Sequence, residues 1–413
     1  MVRNRGTQQS WVMDSFLGGA GWGALHPEAE GIFEELGYDH TDITRVFSRV
    51  KAAKMFPKAW ATTASEVESK ARNLEERGLS LTARDLYRRA AQLYGRAQYG
   101  YFFDHPLKTH FHGKLVESYL KCMALNPSPI KGVQLKAEGQ TVFAVFHATE
   151  KAQRTPAEKT PAVILIPGMD MFKEDWHTTA QNYFLPRGIA ALAIDGPGQG
   201  ETLLHGYKVT PTNYAHTIRA AADWLQHQPE VDGSKIVVYG ISMGSYWGTL
   251  AAASDERLKA VATQLGCYGD MEVIFNQAQP NFKANFMYMS GYTDEGKFDE
   301  EVAAKMHSRE TAPKIRCPFL MAHGEFDELT PLVEALKTYA LLKCPKEIWI
   351  YDNEFHPLGG VANELIGGAA DWLVKMLRGD YTPNMDSRLW IGRDGKIVSG
   401  DCRPPWWDGA FAV

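Results

Sequence analysis

Residues 235–253 read KIVVYGISMGSYWGTLAAA, and the order of residue types in this stretch decides the fold. Ile236, Val237, Val238 and Tyr239 make a short apolar run of β-forming residues, a helical pattern starts at Ser245, and Gly240-Ile241-Ser242-Met243-Gly244 lies between them. A serine that must attack from a sharp strand-to-helix turn needs small flanking residues, because the turn is strained and the helix packs tightly on the strand. The helix N-terminus then favours negative charge beside the serine. A lone G-x-S-x-G arises by chance in many chains; the strand before it and the helix after it give it weight over a mere glycine-rich turn.

The same alternation extends in both directions. AVILIPG (162–168) is followed by a helical pattern through Ala180, IAALAID (189–195) by one near 213–227, and the series continues with AVATQLG (260–266), CPFLMAHG (317–324) and KEIWIYD (346–352). Short, wholly apolar strands alternating with helices predict a mainly parallel sheet covered on both faces, with reactive groups on loops at the carboxyl ends of the strands. Ahead of this series, GVQLKAEGQTVFAVFHA (132–148) alternates around a Glu-Gly-Gln turn and predicts a β-hairpin, and KAQRTPAEKTP (151–161) an exposed loop.

Further out, SEVESKARNLEERG (65–78) places Val67, Ala71 and Leu74 on one helix face with Gly78 as C-cap. LTARDLYRRAAQLYGRAQY (81–99) repeats Leu81, Leu86, Ala90, Leu93 and Ala97 at helical steps, completing a helical hairpin. No second copy recurs at a fixed period, so a repeat array is not expected. Beyond Arg378, RLWIGRDGKIVSG (388–400) predicts a small hairpin turning at Asp394-Gly395, and the Pro-Pro-Trp-Trp of 404–407 needs burial against this chain or a second subunit.

Serine is a weak nucleophile at neutral pH and needs a base, itself oriented by a carboxylate. The turn after CPFLMAHG offers His323, Glu325, Asp327 and Glu328, of which Asp327 sits farthest into the turn, and the turn after KEIWIYD offers His356. The order Ser242, Asp327, His356 is that of the α/β-hydrolases, and His323 is read as structural. The oxyanion needs two backbone N–H donors: Met243, after the nucleophile, and Met169, in ILIPGMDMFKE where Gly168 permits close approach. Asp170, Lys173 and Glu174 in that loop hold its shape or touch substrate. AIDGPGQGET (193–202) lacks a phosphate-loop lysine and the full G-x-G-x-x-G spacing, and is read as a rigid turn beside the site.

Composition narrows the function classes. The 413 residues carry a net charge of −5, with 45% hydrophobic and 11% aromatic residues and no run of Lys or Arg. This argues against nucleic-acid and anionic-membrane partners and for a small-molecule substrate. No segment approaches the ~20 apolar residues of a membrane span. The five cysteines are widely spaced, without a C-x-x-C pair, and read as reduced packing residues of a cytoplasmic protein. The 13 histidines include no H-E-x-x-H or comparable cluster, so no metal is expected.

Taken together, PGMDMFKE, DGPGQGET, GISMGS, IRCPFLMAHGEFDELTP and EFHPLGG, behind a helical N-terminal region, resemble the 2,6-dihydropseudooxynicotine hydrolase-like branch of the α/β-hydrolases. They are also similar to the fungal hydrolases that shorten polyketide pigment precursors. The resemblance covers about Trp60 to Arg378. It implies an α/β-hydrolase fold with a helical N-terminal cap over the active site, no cofactor, often a homodimer, and hydrolysis of a carbon–carbon bond beside a ketone or of an ester. Residues 1–125 are then the cap region, 126–378 the catalytic domain and 379–413 a C-terminal hairpin and tail. Family members can carry an acidic substrate-binding residue within CYGDMEVIFNQAQPNFKANFMYMSGY (267–292), which makes Asp270 and Glu272 candidates beside Asp170. Two other functions use the same scaffold: acyl transfer to a bound alcohol or amine, and non-catalytic binding of a small molecule.

Overall fold

Strands that are apolar on both faces must be covered on both faces, and the sheet is built that way. The computed structural model describes residues 14–15, 27–149, 158–278 and 280–400. Within them run the strands β1 (Ile130–Ala137), β2 (Gln140–His147), β3 (Thr160–Ile166), β4 (Ala190–Ile194), β5 (Val231–Ile241), β6 (Leu258–Gln264), β7 (Phe319–Gly324), β8 (Lys346–Tyr351), β9 (Asp386–Ile391) and β10 (Ile397–Ser399). They form one sheet in the order β1-β2-β4-β3-β5-β6-β7-β8-β9-β10. Every neighbouring pair from β4 to β9 is parallel, while β1, β2 and β10 join antiparallel.

Successive residues of the central strands enter opposite cores, as the period of two requires. Ile164, Ile166, Ile236 and Val238 face one core with Ile218, Ala221, Tyr246, Trp247 and Tyr339, from the helices α6 (Tyr214–Gln226), α7 (Met243–Ser254) and α9 (Leu332–Leu341). Val163, Leu165, Val237, Tyr239 and Ile241 face the other, which contains Leu365, Ala369 and Leu373 of α10 (Ala362–Leu377). That second core also holds the N-terminal helices α1 (Ala29–Glu35), α2 (His40–Arg49), α3 (Phe56–Glu76), α4 (Ser80–Tyr99) and α5 (Pro106–Leu125). The N-terminal helices are therefore packed into the body of the molecule: Val67, Ala90, Ala97 and Leu115 share a core with Val163 and Tyr239. Each Ile, Leu or Val fully buried here contributes about 1.5–3 kcal/mol relative to an exposed one.

The turn chemistry follows the sequence. Gly78 (φ 74°) ends α3, with the Leu79 N–H donating back to the Leu74 carbonyl. Glu138 (φ 49°) and Gly139 (φ 77°) make the two-residue loop of the first hairpin, with Ala137 opposite Gln140. The C-terminal hairpin turns at Asp394-Gly395 as expected, but β9 also lies parallel to β8 and extends the main sheet.

Two expectations need correction. Leu81 is 57% exposed, because it lies in the first turn of α4, and Ala83, Tyr87 and Tyr94 supply the buried face with Ala90, Leu93 and Ala97. The segment after β3 is not one regular helix: Lys173–Trp176 is 3₁₀, His177–Thr179 a single α turn, Ala180–Phe184 π and Leu185–Arg187 3₁₀. Pro186 has no N–H for the carbonyl four residues back, so an α ladder cannot run through it. The 151–161 loop falls mostly, and the Pro-Pro-Trp-Trp segment wholly, outside the described residues. Among the described residues no helix is long and apolar enough to cross a membrane, and Cys122, Cys267, Cys317 and Cys344 are free thiols.

Candidate active site

β3 connects to β4 on one side and β5 lies on its other side, so the chain diverges outside the carboxyl ends of β3 and β5. Ser242 stands there. It has φ 54° and ψ −121° between the end of β5 and the start of α7, a strained conformation for a residue with a Cβ. The flanking glycines make it possible. A Cβ on Gly240 would lie 2.4 Å from the Gly244 carbonyl oxygen, and one on Gly244 would lie 2.4 Å from the Ile166 carbonyl oxygen. Both obstacles are backbone.

Ser242 Oγ is 2.9 Å from His356 Nε2, and His356 Nδ1 is 2.9 Å from Asp327 Oδ2. The other Asp327 oxygen accepts the N–H groups of Leu329 (2.9 Å) and Thr330 (2.7 Å), which fixes the carboxylate. Burial works against ionisation of Asp327, but the His356 and His323 rings and these donors outweigh it and hold the carboxyl below its usual range. Burial likewise disfavours a charged His356, yet the charge and hydrogen bond of Asp327 prevail and raise the imidazole above its usual value. His323 Nε2 is bonded to the Thr330 carbonyl at 2.9 Å and its other nitrogen is 3.9 Å from Asp327, so His323 braces the turn rather than joining the Ser–His–Asp line.

The His356 loop is pinned from outside the sheet. A Cβ on Gly359 would lie 1.7 Å from the Glu28 carbonyl oxygen, and one on Gly31 of α1 would lie 2.0 Å from that of Gly359. Arg393, in the C-terminal hairpin, donates to Glu28 and to Glu354, each at 3.1 Å. Burial and the nearby Glu28 push the Glu354 carboxyl up to about 7, against the pull of Arg393. The first N-terminal helix and the last hairpin thus both support the histidine loop.

Met169 and Met243 flank Ser242 from two directions. Met243 is the first residue of α7, where the N–H has no acceptor one turn back. The Met169 loop is tight against the serine: a Cβ on Gly168 would touch the Ser242 Cβ at 3.3 Å. Next to it, Asp170 is bound through its carboxylate and its carbonyl by Arg96 of α4. Arg96 also reaches Asp175 and donates to the Tyr38 hydroxyl. Lys173 is buried among Glu174, Asp195 and Glu201. Lys173 and Glu174 therefore hold the loop.

A cavity of about 510 Å³ opens on Ser242 and His356 and runs under the N-terminal helices. Phe33, Phe56, Trp60, Tyr99, Phe102 and Phe282 supply much of its wall, and Asp170 and Met169 lie at its Ser242 end. Asp270 and Glu272 are placed elsewhere, at the start of α8 (Met271–Gln277), with Asp270 3.6 Å from Arg309 and Glu272 exposed. Neither lines the cavity. Sequence reasoning passed over Arg96, although a cation one step from Leu93 and Ala97 on an apolar stripe was a visible signal. It also passed over Cys267, whose sulfur lies 3.8 Å from Ser242 Oγ. Among the described residues no group of three or more His, Cys, Asp or Glu is placed to hold a metal ion.

Residues 176–379 match the model of the prolyl oligopeptidase family, a stretch that contains Ser242, Asp327 and His356. The chain is 28% identical over 293 residues to 2,6-dihydropseudooxynicotine hydrolase of Paenarthrobacter nicotinovorans, covering 71% of this chain and 76% of that one. It is 29% identical over 174 residues to the 20-hydroxy-prefusarin hydrolase FUS2 of Gibberella moniliformis, covering 41% of this chain and 39% of that protein. The solved structure of 2,6-dihydroxy-pseudo-oxynicotine hydrolase has the same fold, with a TM-score of 0.75 at 24% identity over 86% of this chain and 99% of that one.

Proposed function

We propose that this chain, a hydrolase belonging to the α/β-hydrolase superfamily in the branch of 2,6-dihydropseudooxynicotine hydrolase, uses Ser242 as nucleophile, His356 as base and Asp327 as orienting carboxylate. The observation that carries this reading is the unbroken line from Ser242 Oγ to His356 Nε2 and from His356 Nδ1 to Asp327, 2.9 Å at each step, opening into an apolar cavity.

The chemistry follows from the geometry. Asp327 accepts a hydrogen bond from the Nδ1–H, which leaves a lone pair on Nε2 facing the Ser242 hydroxyl. As Ser242 Oγ bonds to the substrate carbonyl carbon, its proton passes to Nε2 and the carbonyl oxygen takes the negative charge. The Met169 and Met243 N–H groups, on two buried residues, receive that charge. Collapse breaks the bond to the leaving group, which His356 protonates. Water, deprotonated by His356, then releases the acyl group from Ser242.

The substrate is an apolar or aromatic carbonyl compound, as the aromatic wall supports. We assign cleavage of a carbon–carbon bond beside a ketone, where an enolate leaves, on the likeness to 2,6-dihydropseudooxynicotine hydrolase. A carboxylic ester enters the same sequence with an alkoxide leaving. Ser242→Ala tests the assignment: the variant should fold normally and lose nearly all turnover, and wild-type rates in that variant would refute it.

A further inference from the structure

The DGPGQGET turn (195–202) has a use in this site beyond rigidity. Gln199, within it, is 2% exposed. Its Nε2 donates to the Gly168 carbonyl oxygen at 2.6 Å, and its Oε1 accepts from the Tyr214 hydroxyl at 2.5 Å. The Tyr214 ring stacks on Trp247 of α7, with centroids 4.0 Å apart and planes 7° apart. Gly196 leaves room for that ring, since a Cβ there would lie 2.0 Å from it. A chain of contacts thus runs from the nucleophile helix through Tyr214 and Gln199 to the peptide that joins Gly168 to Met169.

That peptide is planar and trans, so its C=O and its N–H point in opposite directions. Fixing the Gly168 oxygen fixes the direction of the Met169 N–H. The Gly168 carbonyl can only accept, so it decides which end of the Gln199 amide faces it, and the Tyr214 hydroxyl satisfies the other end by donating to Oε1. We propose that Gln199 is a positioning residue of the oxyanion hole: it holds the Gly168–Met169 peptide so that the Met169 N–H is aimed at the developing oxyanion before substrate arrives. The inference rests on the reading of Ser242 and Met169 given under Proposed function.

A fluorophosphonate that phosphonylates Ser242 is a suitable probe, because its phosphoryl oxygen gains charge in the same hole. The readouts are the maximal inactivation rate, the concentration for half-maximal rate, and the melting temperature of each variant. Gln199→Leu should lower the maximal rate by about 10- to 100-fold and leave the half-maximal concentration within about twofold, the signature of a group felt only in the transition state. Gln199→Glu should react near the wild-type rate at the acid end of the range, where the protonated carboxyl still donates to Gly168. It should lose that rate as pH rises and the carboxyl ionises, while the wild type speeds up. Should Gln199→Leu fail to fold, Gln199→Glu and Tyr214→Phe carry the test, the latter with a loss of several-fold.

Maximal rates within twofold of wild type in folded variants, a Gln199→Glu pH profile parallel to wild type, or rate and half-maximal concentration shifting together with a lowered melting temperature would each overturn the positioning role. A wild-type protein that takes no phosphonate on Ser242 overturns the underlying reading instead, and the inference with it.

Discussion

Arg96 of α4 donates to both the carboxylate and the carbonyl oxygen of Asp170, the residue that follows Met169. A side chain 74 residues upstream thereby grips the loop that packs against Ser242. The same guanidinium faces Asp175, which is fully buried, and burial drives the Asp175 carboxyl up even though Arg96 opposes it.

Removing Arg96 leaves the buried Asp175 without its cation. Arg96→Met should cost about 3–5 kcal/mol in urea unfolding, the penalty of an uncompensated buried charge, and should lower turnover in the folded fraction. A cost within about 0.5 kcal/mol, the range of ordinary surface changes, would show that Arg96 does not hold this region.

The pH dependence follows from His356. Only the neutral imidazole accepts the Ser242 proton, and Asp327 raises the His356 pKa above the ordinary histidine value of about 6.5. Activity should therefore fall as pH drops, with a midpoint above that value. The sign for stability is the reverse: the raised His356 pKa stabilises the fold below the unfolded value, and this contribution is lost as pH rises through the folded one. Asp327→Asn should move the kinetic midpoint down and lower kcat by about 10⁴-fold. A pH–rate profile that keeps its midpoint in the variant would remove Asp327 from the line.

Gly244 faces the Ile166 carbonyl, which cannot step aside without moving β3. Gly244→Ala should destabilise the fold by about 1–3 kcal/mol, as overpacking does, and should depress the Ser242 reaction further than the folded fraction explains. Unfolding and phosphonylation rates measured on one preparation check both parts. Wild-type values for both would contradict the elbow geometry.

How legible this was depended on range along the chain. The elbow is written in five consecutive residues, and the parallel series in six short apolar runs, because local sterics and the period of two act over a few positions. Asp327 could be chosen among His323, Glu325, Asp327 and Glu328 only by its depth in the turn. The structure spends the others separately: Glu325 accepts from the Asn353 N–H, Glu328 from the His356 N–H, and His323 braces Thr330. Arg96, Gln199 and Arg393 act through partners 74, 31 and 39 residues away. Their roles follow from tertiary packing, which no periodicity in one segment reports. The likeness of DGPGQGET to a rigid turn was readable; that Gln199 reaches Gly168 was not.

If the acyl group lies in the cavity, its aromatic wall sets selectivity. Trp60 lines it and packs edge-to-face on Tyr38 and Phe47. Trp60→Leu should lengthen the acceptable acyl chain, raising kcat/KM for p-nitrophenyl octanoate relative to the butyrate by about 10-fold or more, the scale of a few methylenes in an apolar pocket. An unchanged ratio in a folded variant would place the acyl group elsewhere.

An activated Ser242 nucleophile can be trapped covalently. After reaction with a fluorophosphonate, mass spectrometry should find one phosphonyl group per chain, on the peptide containing Ser242, and none on Ser242→Ala or on protein unfolded before exposure. A folded wild-type chain that stays unmodified, or one modified at another serine, would show that Ser242 is not the nucleophile.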